Sequence, residues 1–196
     1  MADVVDESFV GADLRGQHLA DTDFVRCSFD EAALDDAVTT AVTFTECTFD
    51  GAELTNSVHR RTAFLNCSFV RAGLRGVTWD GCKMTGTTFS ECRTQPMTVV
   101  GGDWSYVALG GANLRELDLS GVRLTEANLT GADLTRAWLR DADLRGARTG
   151  GAVLVDADLR GARLDGLDPR TADLRGARVD LEHAVAFGLT FGVVLD

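Results

Sequence analysis

The sequence is short of proline, of basic residues and of long apolar runs. Two prolines against 21 glycines in 196 residues favour regular structure with many tight turns. Lys and Arg total 19 against 30 Asp and Glu, giving a formal net charge of −11. Because phosphate binding needs surplus basic side chains, we expect no direct binding to nucleic acid or to an anionic membrane. A basic protein partner remains compatible with this charge.

No run of about 18 apolar residues is present, as a membrane-spanning helix would need. The N-terminal segment, residues 1–7, is acidic and lacks the basic-then-apolar order of a secretory signal. We therefore expect a cytoplasmic protein whose five cysteines remain thiols. No CxxC spacing occurs, so the pattern predicts neither a zinc site nor a cofactor.

A repeat of five residues runs through the chain. Of the 36 positions from 4 to 179 in steps of five, 25 are Leu or Phe, without insertion or deletion. We call these the central positions. The residue two before each is small, the one just before is often Asp, Asn, Ser or Thr, and the two after are polar or Gly, as in residues 12–16. A period of five fits neither an amphipathic helix nor an alternating strand. It predicts a very short strand followed by a corner.

A second period of 20 residues indicates how many sides each coil has. Phenylalanines recur at this interval in two columns, Phe9, Phe29, Phe49, Phe69 and Phe89, and Phe24, Phe44 and Phe64. Four repeats per coil would stack these rings at about the strand spacing of 4.8 Å, within the range of offset aromatic stacking. The pattern predicts a square-sectioned column of about nine coils, roughly 42 Å long at this spacing.

The residues that could carry chemistry fit the core better. All five cysteines, Cys27, Cys47, Cys67, Cys82 and Cys92, lie two before a central position, so they are interpreted as small packing residues. His59 occupies a central position and is interpreted as a core histidine rather than a base. No phosphate loop, nucleophile elbow or Ser-His-Asp arrangement is present. The sequence therefore predicts a binding protein and no catalytic residues.

The five-residue period, with central Leu or Phe and Ala two before it, is the signature of the pentapeptide-repeat family. The resemblance implies an all-β right-handed quadrilateral β-helix over nearly the whole chain. Residues 59–69, 109–115, 178–180 and 184–187 resemble segments of the MfpA-type fluoroquinolone-resistance proteins. That resemblance implies a dimeric acidic rod that imitates duplex DNA and inhibits DNA gyrase. The alternative is a scaffold repeat protein that binds another basic partner.

The last residues predict a different structure from the repeats. Asp180 is predicted to cap a short helix with Glu182 in its first turn, Gly188 to end it, and residues 189–195 to form a strand. We expect the β-helix over 1–179 and a cap and dimerisation segment over 180–196. In the family the dimer forms through this end, and the expected interface residues are Leu181, Val185, Phe187, Leu189, Phe191 and Val193.

The acidic residues are unevenly distributed. Residues 1–53 hold 13 acids and two arginines, residues 54–99 two acids and six basic residues, and residues 100–196 15 acids and 11 arginines. Asp just before a central residue is also expected for turn hydrogen bonds alone, and acidity also favours solubility. The acids expected to face a partner are Asp21, Asp30, Glu31, Asp35, Asp36, Glu46, Asp50, Asp141, Asp156 and Asp165.

One segment, residues 94–104, departs from the repeat. Pro96 lacks a backbone N–H, so a kink or bulged corner is predicted there. A structural imperfection and a partner contact are both compatible with this pattern.

Overall fold

A computed structural model describes residues 2–194 of the chain. Its strands are short and all pair in parallel. They are β1 (Ala2–Val5), β2 (His18–Ala20), β3 (Thr22–Val25), β4 (Val38–Thr40), β5 (Thr43–Thr45), β6 (Val58–Arg60), β7 (Ala63–Leu65), β8 (Ser68–Val70), β9 (Thr78–Asp80), β10 (Thr88–Ser90) and β11 (Thr98–Val100). One helix, α1, spans Leu181–Thr190.

The strands form three ladders that run along the column. Their orders are β1-β3-β5-β7, β8-β10 and β2-β4-β6-β9-β11. Every partner lies 20 residues away, as in Phe24 with Phe44 and Thr39 with His59. Isolated bridges continue at the same interval as far as Asp158 and Arg178. The predicted β-helix with four repeats per coil is therefore confirmed.

The core consists of the central residues and the small residues two before them. The rings of Phe29 and Phe49 are nearly parallel, 6° apart, with centroids 5.0 Å apart, and Phe49 and Phe69 stack at 4.7 Å. Rings of the second column meet the first edge-on, as Phe44 does with Phe49 at 5.3 Å. The predicted phenylalanine columns are confirmed, and stacking adds to the area they bury.

Each side of the column is numbered by its first central residue. Side 1 carries residues 4, 24, 44 and onward, side 2 starts at 9, side 3 at 14 and side 4 at 19. The residue two after each central position forms the corner to the next side. Corner residues adopt a left-handed conformation, as Glu46 (φ 55°) and Asp141 (φ 57°) do.

The five cysteines are free thiols, as predicted. The Sγ atom of Cys47 contacts the carbonyl of Phe24 at 3.4 Å, and that of Cys82 contacts the carbonyl of His59 at 3.2 Å. Burial raises the pKa of Cys82 to about 12. These thiols serve as small core residues.

The C-terminal segment differs from the prediction in two respects. Asp180 precedes α1, but its Oδ2 atom accepts a hydrogen bond from the N–H of Gly161 at 2.6 Å and does not cap the helix. Gly188 lies inside α1. The helix ends at Gly192 (φ 81°), which donates to the carbonyl of Leu189, while Val193 donates to that of Gly188. This is a Schellman arrangement.

The predicted strand at 189–195 is therefore wrong in its described part. Residues 189 and 190 are helical, and residues 191–194 contain no strand. A glycine inside a helix costs only about 1 kcal/mol, so Gly188 does not stop α1. Residue 195 lies outside the described range.

The column is interrupted once, where Pro96 predicted a kink or a bulge. The strand β11 is the last of its ladder, and among residues 2–194 no bridge joins it to the following coil on side 4. On sides 1 and 2 the bridges between Lys83 and Asp103 and between Thr88 and Ala108 continue across the same level. The interruption therefore affects two of the four sides.

Candidate protein-binding surfaces

Many corner residues are acidic although their backbone favours glycine. Of the 18 non-glycine residues with positive φ, all at corners, ten are Asp or Glu. A left-handed conformation costs a residue with a Cβ about 1–2 kcal/mol relative to a right-handed one. Other corners are glycine, as at Gly11 and Gly111. Folding alone therefore does not account for acids at corners.

Acids just before a central residue have a different role. Asp143 and Asp173, for example, pair with the arginine two residues later, Arg145 and Arg175, at 2.7 Å and 2.6 Å. The hydrogen bond from Arg145 lowers the pKa of Asp143 to about 2. The charge of these acids is balanced within the repeat, so they add little to the net acidity of the surface.

The ten acids expected to face a partner are at corners or just after a central residue. None of them makes an ion pair with another described residue. Asp21 and Asp141 lie at the corner between sides 4 and 1, and Asp156 at the corner between sides 3 and 4. Asp165 follows a central residue of side 1 and is exposed.

The other six acids form one continuous surface near the N-terminus, which we call the acidic band: Asp30, Glu31, Asp35, Asp36, Glu46 and Asp50. It extends from the corner at Glu46 across side 2 to the corner at Asp36. Its two members on side 2 also support the fold. Asp30 accepts a hydrogen bond from the N–H of Asp50 at 2.9 Å, and Asp50 accepts one from the N–H of Val70 at 3.1 Å. Glu31, Asp36 and Glu46 are fully exposed corner residues.

A basic belt separates the acidic band from the C-terminal acids. It consists of Arg60, Arg61, Arg71, Arg75, Lys83 and Arg93, all exposed. Among these residues only Arg93 forms an ion pair within residues 2–194, with Glu53 at 2.5 Å. The surface is thus acidic at the N-terminal coils, basic in the middle and mixed beyond.

Apolar side chains are concentrated on and after α1. Half of the large exposed hydrophobic residues of the described chain lie there: Leu181, Leu189, Phe191, Val193 and Val194. Of the six expected interface residues, Val185 and Phe187 are only partly exposed, and Phe187 packs against the core of the column. Phe187 thus closes the C-terminal end of the core, while the four others face outward.

The structure places His59 in the core, as interpreted from the sequence. It is 2% exposed, and its ring stacks on that of Trp79 with centroids 4.6 Å apart. His18 and His183 lie on side 4 of the first coil and on α1, far along the chain from it. Among residues 2–194, no group of three or more His, Cys, Asp or Glu is arranged to hold a metal ion. No helix within that range is long and apolar enough to cross a bilayer.

One surface feature escaped the sequence argument. Trp138 lies just before a central position, so its side chain is outside the core, and it is 48% exposed. It borders a cleft of about 730 Å³ at the interruption of the column. An apolar residue at this polar position of the repeat was the available signal.

Comparison with known proteins agrees with this architecture. A family model described as pentapeptide repeats matches in eight copies, over residues 8–38, 109–146 and 152–184. These segments make up just over half of the chain. No curated protein sequence matches it.

Among solved structures, two trypsin-treated variants of QnrB1, a plasmid-mediated fluoroquinolone resistance protein, have TM-scores of 0.88 and 0.76. Each is 20% identical, and the match covers 100% of this chain and 98% of that chain. HetL, a pentapeptide repeat protein involved in heterocyst differentiation regulation in the cyanobacterium Nostoc, is 24% identical with a TM-score of 0.47, over 90% of this chain and 84% of its own. The two QnrB1 structures have the same fold as this chain.

Proposed function

This chain belongs to the pentapeptide-repeat family, and we propose that it is a DNA-mimicking homodimer that binds and inhibits DNA gyrase and lowers fluoroquinolone sensitivity. Proteins of this family are structural repeat scaffolds, and no catalytic family matches the chain. It acts in the cytoplasm by binding alone, without a cofactor and without catalysis. QnrB1, which has the same fold, is a fluoroquinolone resistance protein, and this supports the assignment.

The observation that carries the proposal is the group of unpaired acids at left-handed corners. Glu31, Asp36 and Glu46 each adopt φ between 55° and 57° and none has an ion-pair partner within residues 2–194. Glycine would be less strained at each of these corners. Acids retained there against the conformational preference favour a surface that meets positive charge.

The geometry of a straight rod suits the imitation of DNA. Corner residues 20 apart are stacked along an edge at about 4.8 Å per coil, close to the ~3.4 Å rise between phosphates of one DNA strand. The net charge of −11 is under half of the roughly 25 charges on duplex DNA of the same length. The imitation is therefore local, and the acidic band is the part that a DNA-binding surface of gyrase would contact.

The dimer of this proposal forms through the C-terminal end. The outward-facing residues Leu181, Leu189, Phe191 and Val193 provide an apolar surface next to the last coil, and a two-fold contact between such surfaces closes the assembly. The acidic bands then lie at the two far ends of a rod about 85–100 Å long, from the same coil spacing.

A second candidate is a scaffold that binds another protein. The basic belt, from Arg60 to Arg93, favours it, because exposed positive charge in the middle of the rod would repel the same gyrase surface that the acidic band attracts. Such a partner would carry both charges in the matching order.

A supercoiling assay with purified gyrase separates the two functions. We expect the chain to inhibit supercoiling, and added salt to weaken this inhibition because it depends on exposed charges. If gyrase supercoils normally at micromolar protein, with and without a quinolone, the gyrase proposal fails and the scaffold remains. Inhibition unaffected by salt would contradict electrostatic mimicry while retaining gyrase as the partner.

A further inference from the structure

The interruption of the column leaves two strand edges facing each other. In the regular coils, Leu119 donates its N–H to the carbonyl of Trp138 and Gly121 donates to that of Arg140, both at 2.8 Å. One coil earlier on side 4 the corresponding bonds would join Val99 to Asp118 and Gly101 to Ser120, and neither forms. The edge of β11 and the edge of residues 117–120 thus both present backbone groups without a partner in the described chain.

Two side chains hold the coils together beside this gap. On side 3 the Oγ1 atom of Thr94 donates to the carbonyl of Asn113 at 2.7 Å. The Nε2 atom of Gln95 donates to the carbonyl of Arg115 at 2.6 Å, which replaces the N–H that Pro96 lacks. The core stays intact, with Val99 and Trp104 buried on either side. The opening is therefore a supported part of the fold.

The cleft between the two edges has a volume of about 730 Å³, within the range of ligand sites in proteins. Met97, Thr98 and Val100 line one wall, and Leu117 and Asp118 line the other. Val100 is 53% exposed. The lining thus combines apolar side chains with open strand edges.

The outer end of the cleft carries a favourable arrangement for a cation. Trp138 lies in the ladder between Asp118 and Asp158. Asp158 is buried and paired with Arg140 and Arg160, whereas Asp118 forms no ion pair within residues 2–194. An exposed indole beside a free carboxylate attracts Lys or Arg through both the ring face and the charge.

We propose that this cleft binds an extended segment of a partner protein by strand addition, with a basic side chain of that segment between Trp138 and Asp118. An open strand edge is a template for a further strand, and here two edges are available to one segment. The inference goes beyond the proposed function, because neither the acidic band nor the dimer surface includes the cleft. It holds equally if gyrase is not a partner.

The test is a selection of linear nonapeptides displayed on phage against the immobilised full chain. A variant with a closed cleft, T94L/P96G, serves for counter-selection, since it restores the repeat residue at 94 and the missing N–H at 96. We expect peptides rich in Arg or Lys to be enriched on the natural chain alone. In NMR spectra, the selected peptide should shift the amide signals of residues 97–101 and 117–120 and slow the hydrogen exchange of Val99 and Gly101.

Two surface variants provide a second readout that does not depend on the closed variant folding. Trp138→Ala and Asp118→Asn each remove an exposed side chain, and each should weaken binding of the selected peptide at least fivefold. Pro in place of the central peptide residue should also weaken it, because the strand loses a donor. The proposal is overturned if no peptide prefers the natural chain, if the shifted amides lie elsewhere, or if both surface variants bind as the natural chain does.

Discussion

The Nδ1 atom of His59 lies 2.8 Å from the Oγ1 atom of Thr39, its neighbour one coil earlier. On the other side of the ring, Nε2 lies 3.0 Å from the hydroxyl of Ser57, which itself donates to the carbonyl of Leu54 at 2.8 Å. Since Ser57 has one proton, it accepts from Nε2–H, and Nδ1 accepts from Thr39. The network therefore fixes the neutral Nε2–H tautomer of His59.

The first prediction is that this histidine makes the protein less stable in mild acid. Desolvation lowers the pKa of His59 to about 3 in the folded chain, while the unfolded chain titrates near 6.5. Below pH 6.5 only the unfolded state takes up the proton, so stability falls as the pH decreases. The expected loss at pH 5 is about 2 kcal/mol relative to pH 8.

Urea unfolding between pH 5 and 8 measures this loss. Replacing His59 by Phe removes the titrating group, so the slope against pH should flatten even though the absolute stability changes. Replacing the exposed His18 by Gln is the matched control and should leave the slope unchanged. An unaltered slope in the His59 variant would assign the acid sensitivity to other groups.

The sequence predicted most of this fold because one rule repeats. A register without insertions means that residues 20 apart must stack, which placed Phe29 on Phe49 and His59 in the core before any coordinates. The rule fails where the repeat ends. The helix boundary depended on which of two glycines could form the Schellman bonds, and Gly192 rather than Gly188 does so.

The surface was predictable only in part. Position in the repeat indicated which acids lie at corners, but not that arginine two residues later balances Asp143 while no cation reaches Glu46. Pro96 marked an interruption without indicating its form. The cleft depends on Gln95 reaching the carbonyl of Arg115, a tertiary contact with no local sequence signal.

The second prediction concerns the phenylalanine columns. Phe49 is buried between Phe29 and Phe69, and replacing it by Ala leaves a cavity in a rigid stack, which should lower the unfolding free energy by about 3–5 kcal/mol. Phe9, in the first coil, stacks on one neighbour of its column and is only partly buried. Phe9→Ala should cost clearly less. Equal losses in chemical denaturation would contradict a continuous column.

The third prediction separates the dimer surface from the core at the C-terminus. Leu189 and Phe191 are 55% and 63% exposed, so the pair of changes L189E/F191E should give a folded monomer in sedimentation equilibrium. Val10, also 55% exposed but at the opposite end, is the control, and Val10→Glu should remain dimeric. Phe187→Ala should instead lower the melting temperature, because that ring packs on the core.

If L189E/F191E retains the mass of a dimer, the contact lies elsewhere on the rod. The same measurement on the natural chain is decisive as well. A monomer at micromolar concentration would remove the C-terminal dimer from the proposed function but leave the acidic band as a binding surface.

The last prediction addresses the corner acids, where stability and binding should change in opposite directions. Glu31 and Glu46 have φ of 57° and 55°, so replacing both with Gly relieves strain and should raise the unfolding free energy by up to about 1 kcal/mol per site. The same change removes two unpaired charges from the acidic band and should weaken gyrase inhibition several-fold. Ala41, an uncharged corner residue with φ of 52°, is the matched control. Ala41→Gly should stabilise the chain equally and leave inhibition intact, whereas full inhibition by E31G/E46G would show that these acids serve solubility alone.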